Sequence, residues 1–145
     1  MKYAKAYYEA LASLPEYGDF DIIGHLDIIT KHAEREDFFP AASEEYREYA
    51  LRAVQALKGK IPFFEVNTGA VARGYRTRPY PAPFILHELR KQGFQPVITS
   101  DCHDVTKIDC AFVQAEKLLM DCGFTHRYVL TKNGFVPIKL GQEEK

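Results

Sequence analysis

Three short apolar runs, each followed by side chains able to bind a metal or move a proton, alternate with stretches of helical spacing. This alternation limits the fold more than any other feature of the chain. Residues 20–24 deliver His25, residues 61–66 carry Glu65 and lead into Asn67, and residues 96–99 lead into Ser100-Asp101-Cys102-His103. Each run suits a strand and is too short for a helix. Between them, Tyr3, Ala4, Tyr7, Tyr8, Leu11 and Ala12 recur at helical spacing, and Pro15 and Gly18 end that helix. Ser43 reads as the N-cap of an amphipathic helix through Tyr46, Ala50, Ala53, Val54 and Leu57, stopped by Gly59. Pro83 opens a helix to Lys91 that Gly93 closes. Lys31, Glu34, Arg35, Glu36 and Asp37 read as a mixed-charge loop, and residues 68–81, rich in Gly, Pro and Arg, as a second, longer one. A helix over 109–121 and strands over 128–131 and 135–140, turned by Asn133-Gly134, complete the chain. The alternation predicts α/β architecture, either a mostly parallel sheet with flanking helices or a piece of a barrel.

The 145 residues, 1–145, suffice for one domain, and no linker or repeat divides them. A net charge of −1 without a basic run argues against nucleic acid or an anionic membrane as the main partner. No apolar run is long enough to cross a membrane and no signal peptide is visible, so a cytoplasmic location is expected. Cys102, Cys110 and Cys122 form no C-x-x-C pair and are expected as reduced, buried or half-buried thiols.

In parallel α/β folds ligands gather at the carboxyl ends of strands, where loops converge on a rigid frame. Imidazole and carboxylate at three such ends suit a divalent transition metal, which activates water and neutralises phosphate charge. The conjunction carries the argument, since a lone His after a strand is more often structural and Glu65 reads equally as a solvated edge residue. Arg73, Arg76 and Arg78 lie in the loop after Asn67; guanidinium matches phosphate, and Arg73 is the preferred candidate over a merely solvated loop. Asp27 and Ser100 are expected to stand behind the metal-facing groups and orient them. Cys102 is read as packing, Tyr75 and Tyr80 as the wall of a pocket or the cover of a barrel rim. His32, His87 and His126 are read as surface or packing residues.

Tyr7-Tyr8-Glu9-Ala10-Leu11 leading to Phe20-Asp21-Ile22-Ile23-Gly24-His25-Leu26-Asp27 resembles the third conserved block of histidinol-phosphatases of the PHP superfamily. Glu65-Val66-Asn67-Thr68, the Gly/Arg loop, Tyr80-Pro81 and Ser100-Asp101-Cys102-His103 resemble the stretch that ends in the fourth block. The resemblance covers nearly the whole chain in the right order.

What it implies is a distorted barrel of mostly parallel strands, of which this chain is the C-terminal half. A cluster of zinc, manganese or iron at the barrel mouth would have His25, Asp101 and His103 among its ligands. Arg73, Glu65 and Asn67 would face a phosphorylated small molecule, histidinol phosphate by the same resemblance. The family's N-terminal His-x-His block, and the His and Glu of its second block, have no counterpart here. The isolated chain is therefore expected to be incomplete or inactive as a phosphatase of histidine biosynthesis. The alternative is a non-catalytic module keeping part of the metal site. A half barrel also predicts a homo-oligomer or a separate chain that supplies the missing half. Nuclease or polymerase-linked members of the superfamily fit the neutral charge poorly.

Overall fold

In the computed structural model, residues 2–35 and 40–141 are described; Glu36 and Asp37 of the mixed-charge loop lie outside them. Five strands form one sheet in the order β1-β2-β3-β4-β5: Ile22–Ile23, Phe63–Asn67, Gln95–Thr99, His126–Thr131 and Gly134–Lys139. The first four run parallel, and β4 and β5 form an antiparallel hairpin. Asn133-Gly134 makes its turn, Gly134 with φ +95°, where a side chain would be strained. The helices are α1 (Lys2–Ala12), α2 (Glu44–Leu57), the single turn α3 (Gly69–Ala72), α4 (Pro83–Lys91) and α5 (Phe112–Asp121). No helix among the described residues is long and apolar enough to cross a membrane.

Three elements depart from the sequence reading. β1 is only two residues long: Phe20 and Asp21 face solvent, and the chain leaves the sheet at Gly24-His25, where His25 has φ +21°. The loop over 68–81 contains α3 and a cis Tyr80-Pro81 bond, and Tyr80 bridges back to Asn67 through both backbone hydrogen bonds. The last helix starts at Phe112 instead of 109, because a 3-10 turn over Val105–Lys107 and a left-handed Ala111 (φ +62°) come first.

Strands that follow one another in space as in sequence must be joined by crossovers of one hand, and such crossovers put every helix on the same face. That is the arrangement here. Ile23, Phe64 and Val66 are buried in one core with Tyr8 of α1, Tyr46, Ala50 and Leu57 of α2, Ile85, Leu86 and Leu89 of α4, and Ala115 and Leu119 of α5. Ser43 caps α2, its Oγ accepting from the Tyr46 amide at 3.2 Å, and the Tyr8 and Tyr46 rings meet 5.8 Å apart. Alternate residues look the other way. Ile22, Phe63, Tyr128 and Phe135 are half-buried, Phe63 stacking on Phe135 at 3.9 Å and meeting Tyr128 edge-on at 5.4 Å. On that face Leu130 is 64% exposed. Parallel sheets normally have both faces covered; this one has helices on one face and an open aromatic face on the other.

The two faces predict unequal costs of truncation. Phe64→Ala should lower the unfolding free energy in urea by about 3–5 kcal/mol, as for a fully buried aromatic. Leu130→Ser should stay within about 0.5 kcal/mol of the parent, as for an exposed site.

Candidate functional site

Glu65 sits on β2, between β1 and β3, and spans both neighbours. Its Oε2 accepts the backbone N–H of His25 at 2.6 Å, and its Oε1 accepts the hydroxyl of Thr99, at the end of β3. β2 is thus no solvated edge: Glu65 is half-buried and both its oxygens are held by protein donors. Gly24 lies so close that a Cβ there would stand 3.6 Å from Oε2. This carboxylate fixes the turn that carries His25 with respect to β3.

One pleat further, Asn67 is buried and turns the chain into α3, its Oδ1 accepting the Gly69 amide at 2.9 Å. Its amide also helps to hold the Asp101 carboxyl below its ordinary pKa. Gly69 is required by close approach: a Cβ there would lie 2.9 Å from the Ser100 carbonyl oxygen, 3.0 Å from Arg73 Nη2 and 3.0 Å from Asp101 Cβ. Ser100 therefore meets the site through its backbone.

Asp101 adopts φ +45°, a conformation that Asp tolerates better than most residues. Of the three described non-glycine residues with positive φ, two are His25 and Asp101, and such backbone clusters where function needs it. The Arg73 guanidinium grips Asp101 twice, Nη1 on its carbonyl oxygen and Nη2 on Oδ2, each at 3.0 Å. Asp101 Oδ1 lies 3.4 Å from His103 Nε2. Partial burial raises the Asp101 pKa, but hydrogen bonds from Arg73 and Asn67 and the charges of Arg73 and His103 outweigh it and hold the carboxyl below its ordinary value. Arg73, Asp101, His103, Asp104 and Lys107 wall a cavity of about 270 Å3. A separate hollow of about 340 Å3 is lined by Arg78 and by His87 of α4 and Lys117 of α5.

Asp101 and His103 thus stand side by side, while His25 does not join them around one centre. Among the described residues no three His, Cys, Asp or Glu side chains are grouped so as to hold a metal ion. The pair offers one oxygen and one nitrogen, short of the three or four protein ligands a zinc site needs. Cys102, expected as buried packing, is exposed, its thiol donating to the Asp104 carbonyl at 2.8 Å. Cys110 is half-buried and Cys122 buried, all three as free thiols.

Behind the site lies a buried charged layer that sequence reasoning did not resolve. Asp27 is fully buried; its Oδ2 accepts the Ala82 amide at 2.9 Å, tying the turn after β1 to the start of α4, and Oδ1 has no hydrogen-bond partner among the described residues. Arg76, with a side chain 9% exposed, bonds the Thr30 hydroxyl, lies 3.6 Å from Glu34 and covers the buried Tyr80 ring at 4.7 Å. Nothing in the spacing of Arg73, Arg76 and Arg78 separates the buried one from the others. Thr99 likewise went unread: it pairs with Asn67 across the strand ends, a register that only the folded sheet shows. Tyr75 does not wall the cavity; it lies against Lys31 and His32 on the surface.

A curated protein of Deinococcus radiodurans named "Probable histidinol-phosphatase" is 30% identical to this chain over 129 residues, covering 83% of this chain and 45% of its own length. The chain thus spans about half the length of the curated relative it matches. No family model matches the chain. The match supports a phosphatase-like relationship.

Burial raises the Asp27 pKa to about 6, with the Arg76 charge and the Ala82 amide opposing the rise. A carboxyl raised in the folded state above its unfolded 3.8 stabilises the fold below that value and loses the contribution as pH rises through about 6. Unfolding free energies of the parent and of Asp27→Asn, measured from pH 4 to 7, should therefore diverge. The parent should lose up to about 3 kcal/mol relative to the variant across that window.

Proposed function

We propose that this chain contributes the strand-end part of a metal-dependent phosphomonoesterase centre, with histidinol phosphate as the substrate. One observation supports the reading above others: Asp101 and His103 share the mouth of a cavity at the carboxyl end of β3, beside the Glu65-held turn of His25. Asp101 Oδ1 and His103 Nε2 would face one ion of the cluster, and His25, at the end of β1, would serve a different one. Arg73 keeps the other Asp101 oxygen occupied and the carboxyl ionised, so a proton does not compete with a cation for it. Asn67, Glu65 and Thr99 hold the loops in place from behind. A zinc, manganese or iron ion bound there would activate water and neutralise phosphate charge. The remaining ligands must come from outside these residues.

The open face of the sheet bears on the source of those ligands. We assign it to a polypeptide equivalent to the part of the relative beyond the match, whose apolar side would cover Phe63, Tyr128 and Phe135. A second reading, a non-catalytic oligomeric module, is favoured by the lack of a three-ligand group among the described residues.

Two experiments divide these readings. Hydrolysis of histidinol phosphate should appear only when a fragment corresponding to the rest of the relative is supplied, and His103→Ala should then lower it by at least about 100-fold while leaving thermal unfolding unchanged. No turnover with the fragment bound and zinc present would favour the module. In light scattering, a stable dimer that excludes the fragment would mean that a second copy covers the open face.

A further inference from the structure

Arg73 is the obvious anion-binding residue of the cavity, yet its guanidinium is already committed. Both terminal nitrogens donate to Asp101, and a ligand that drew them off would leave the Asp101 carboxylate without its counter-charge. The same cavity is lined by a second cation. Lys107 is on the 3-10 turn that follows His103, and its Nζ donates to the Ala72 carbonyl oxygen at 3.0 Å, across the cavity mouth from its own loop. An ammonium has three donors. One is spent on Ala72, which anchors the long side chain at the rim and leaves donors for a ligand.

The turn that presents Lys107 is built locally. Asp104 Oδ1 accepts from the Thr106 amide at 3.0 Å and from its hydroxyl at 2.8 Å. The Asp104 carbonyl accepts from the Lys107 amide at 2.9 Å. Cys102, between Asp101 and His103, bonds the same carbonyl. Lys107 is thus tied into the loop that carries the proposed metal-facing pair.

We propose that Lys107, rather than Arg73, is the cation that meets the phosphoryl group of the ligand, and that Arg73 is a positioning residue for Asp101. The inference rests on the phosphomonoesterase reading and refines it. A point charge with free rotation suits a tetrahedral anion approaching from any side, whereas the flat Arg73 fork is already matched to the carbonyl and carboxylate of Asp101. The cavity, about 270 Å3, has room for a phosphoryl group, and Lys107 is among its lining residues.

The probe is inorganic phosphate, titrated into the full chain with a chelator present and followed by amide chemical shifts. The parent should bind saturably, with shifts centred on residues 101–107. Lys107→Ala should weaken binding about tenfold, the worth of one charge-assisted hydrogen bond, and Lys107→Arg should recover most of it. Arg73→Lys should leave phosphate affinity within about threefold, whereas Lys107→Ala loses most of it, a split between the two cations that a merely structural role for Lys107 would not give. Equal affinity of Lys107→Ala and the parent, or no saturable binding by the parent, would overturn the proposal. The wider reading fails separately. Phosphate binding that depends on Lys107, in a chain that never hydrolyses a phosphomonoester, keeps the anion site and removes the enzyme. Turnover with an unchanged KM in Lys107→Ala keeps the enzyme and removes the anion site.

Discussion

The Glu65 carboxylate is the interaction on which the strand ends depend. It stands on β2, and each of its oxygens receives a hydrogen from a different neighbour, the His25 amide and the Thr99 hydroxyl. β1 pairs with β2 over only two residues, so its ladder fixes the direction of the following turn weakly. A half-buried charge-assisted bond supplies what the short ladder cannot. If the carboxylate were replaced by an apolar group, the His25 amide would lose its partner. The positive φ of His25 would then lose the contact that sustains it. From Glu65 the order passes along the strand to Asn67, which holds the Gly69 amide, and across it to Thr99, which precedes the Asp101 loop.

Much of the fold was legible because it depends on periodicity and on Gly, Pro and Ser at element ends. Ser43 caps α2, Pro83 opens α4 and Asn133-Gly134 turns the hairpin as their chemistry requires. What could not be read was set by tertiary contact or by local side-chain bonding. α3 forms because Asn67 caps its first amide and Gly69 lets the Ser100 carbonyl approach, and neither fact has a period. The late start of α5 follows from local bonding around Asp104 that competes with helix.

The candidate site shows the same division. The residue types at the strand ends could be listed from the sequence, and Asp101 with His103 stand together as an Asp-x-His pair in a loop allows. The roles of the three arginines could not be told apart, because burial separates them. Arg73 serves Asp101, Arg76 enters the interior as the counter-charge of Asp27, and Arg78 lines a different hollow. The Cys102 side chain projects into solvent because its neighbours turn the chain through φ +45° at Asp101, which no strand-like alternation anticipates.

The two margins of the sheet limit how the chain can grow by strand addition. At one margin β1 offers two residues, too few to template a partner ladder. At the other, β5 carries Pro137, which removes an N–H from the row of donors, and Lys139, whose charge discourages stacking of like strands. Neither margin thus templates a like strand well, which guards the molecule against fibrils although one face of its sheet lacks a helical cover.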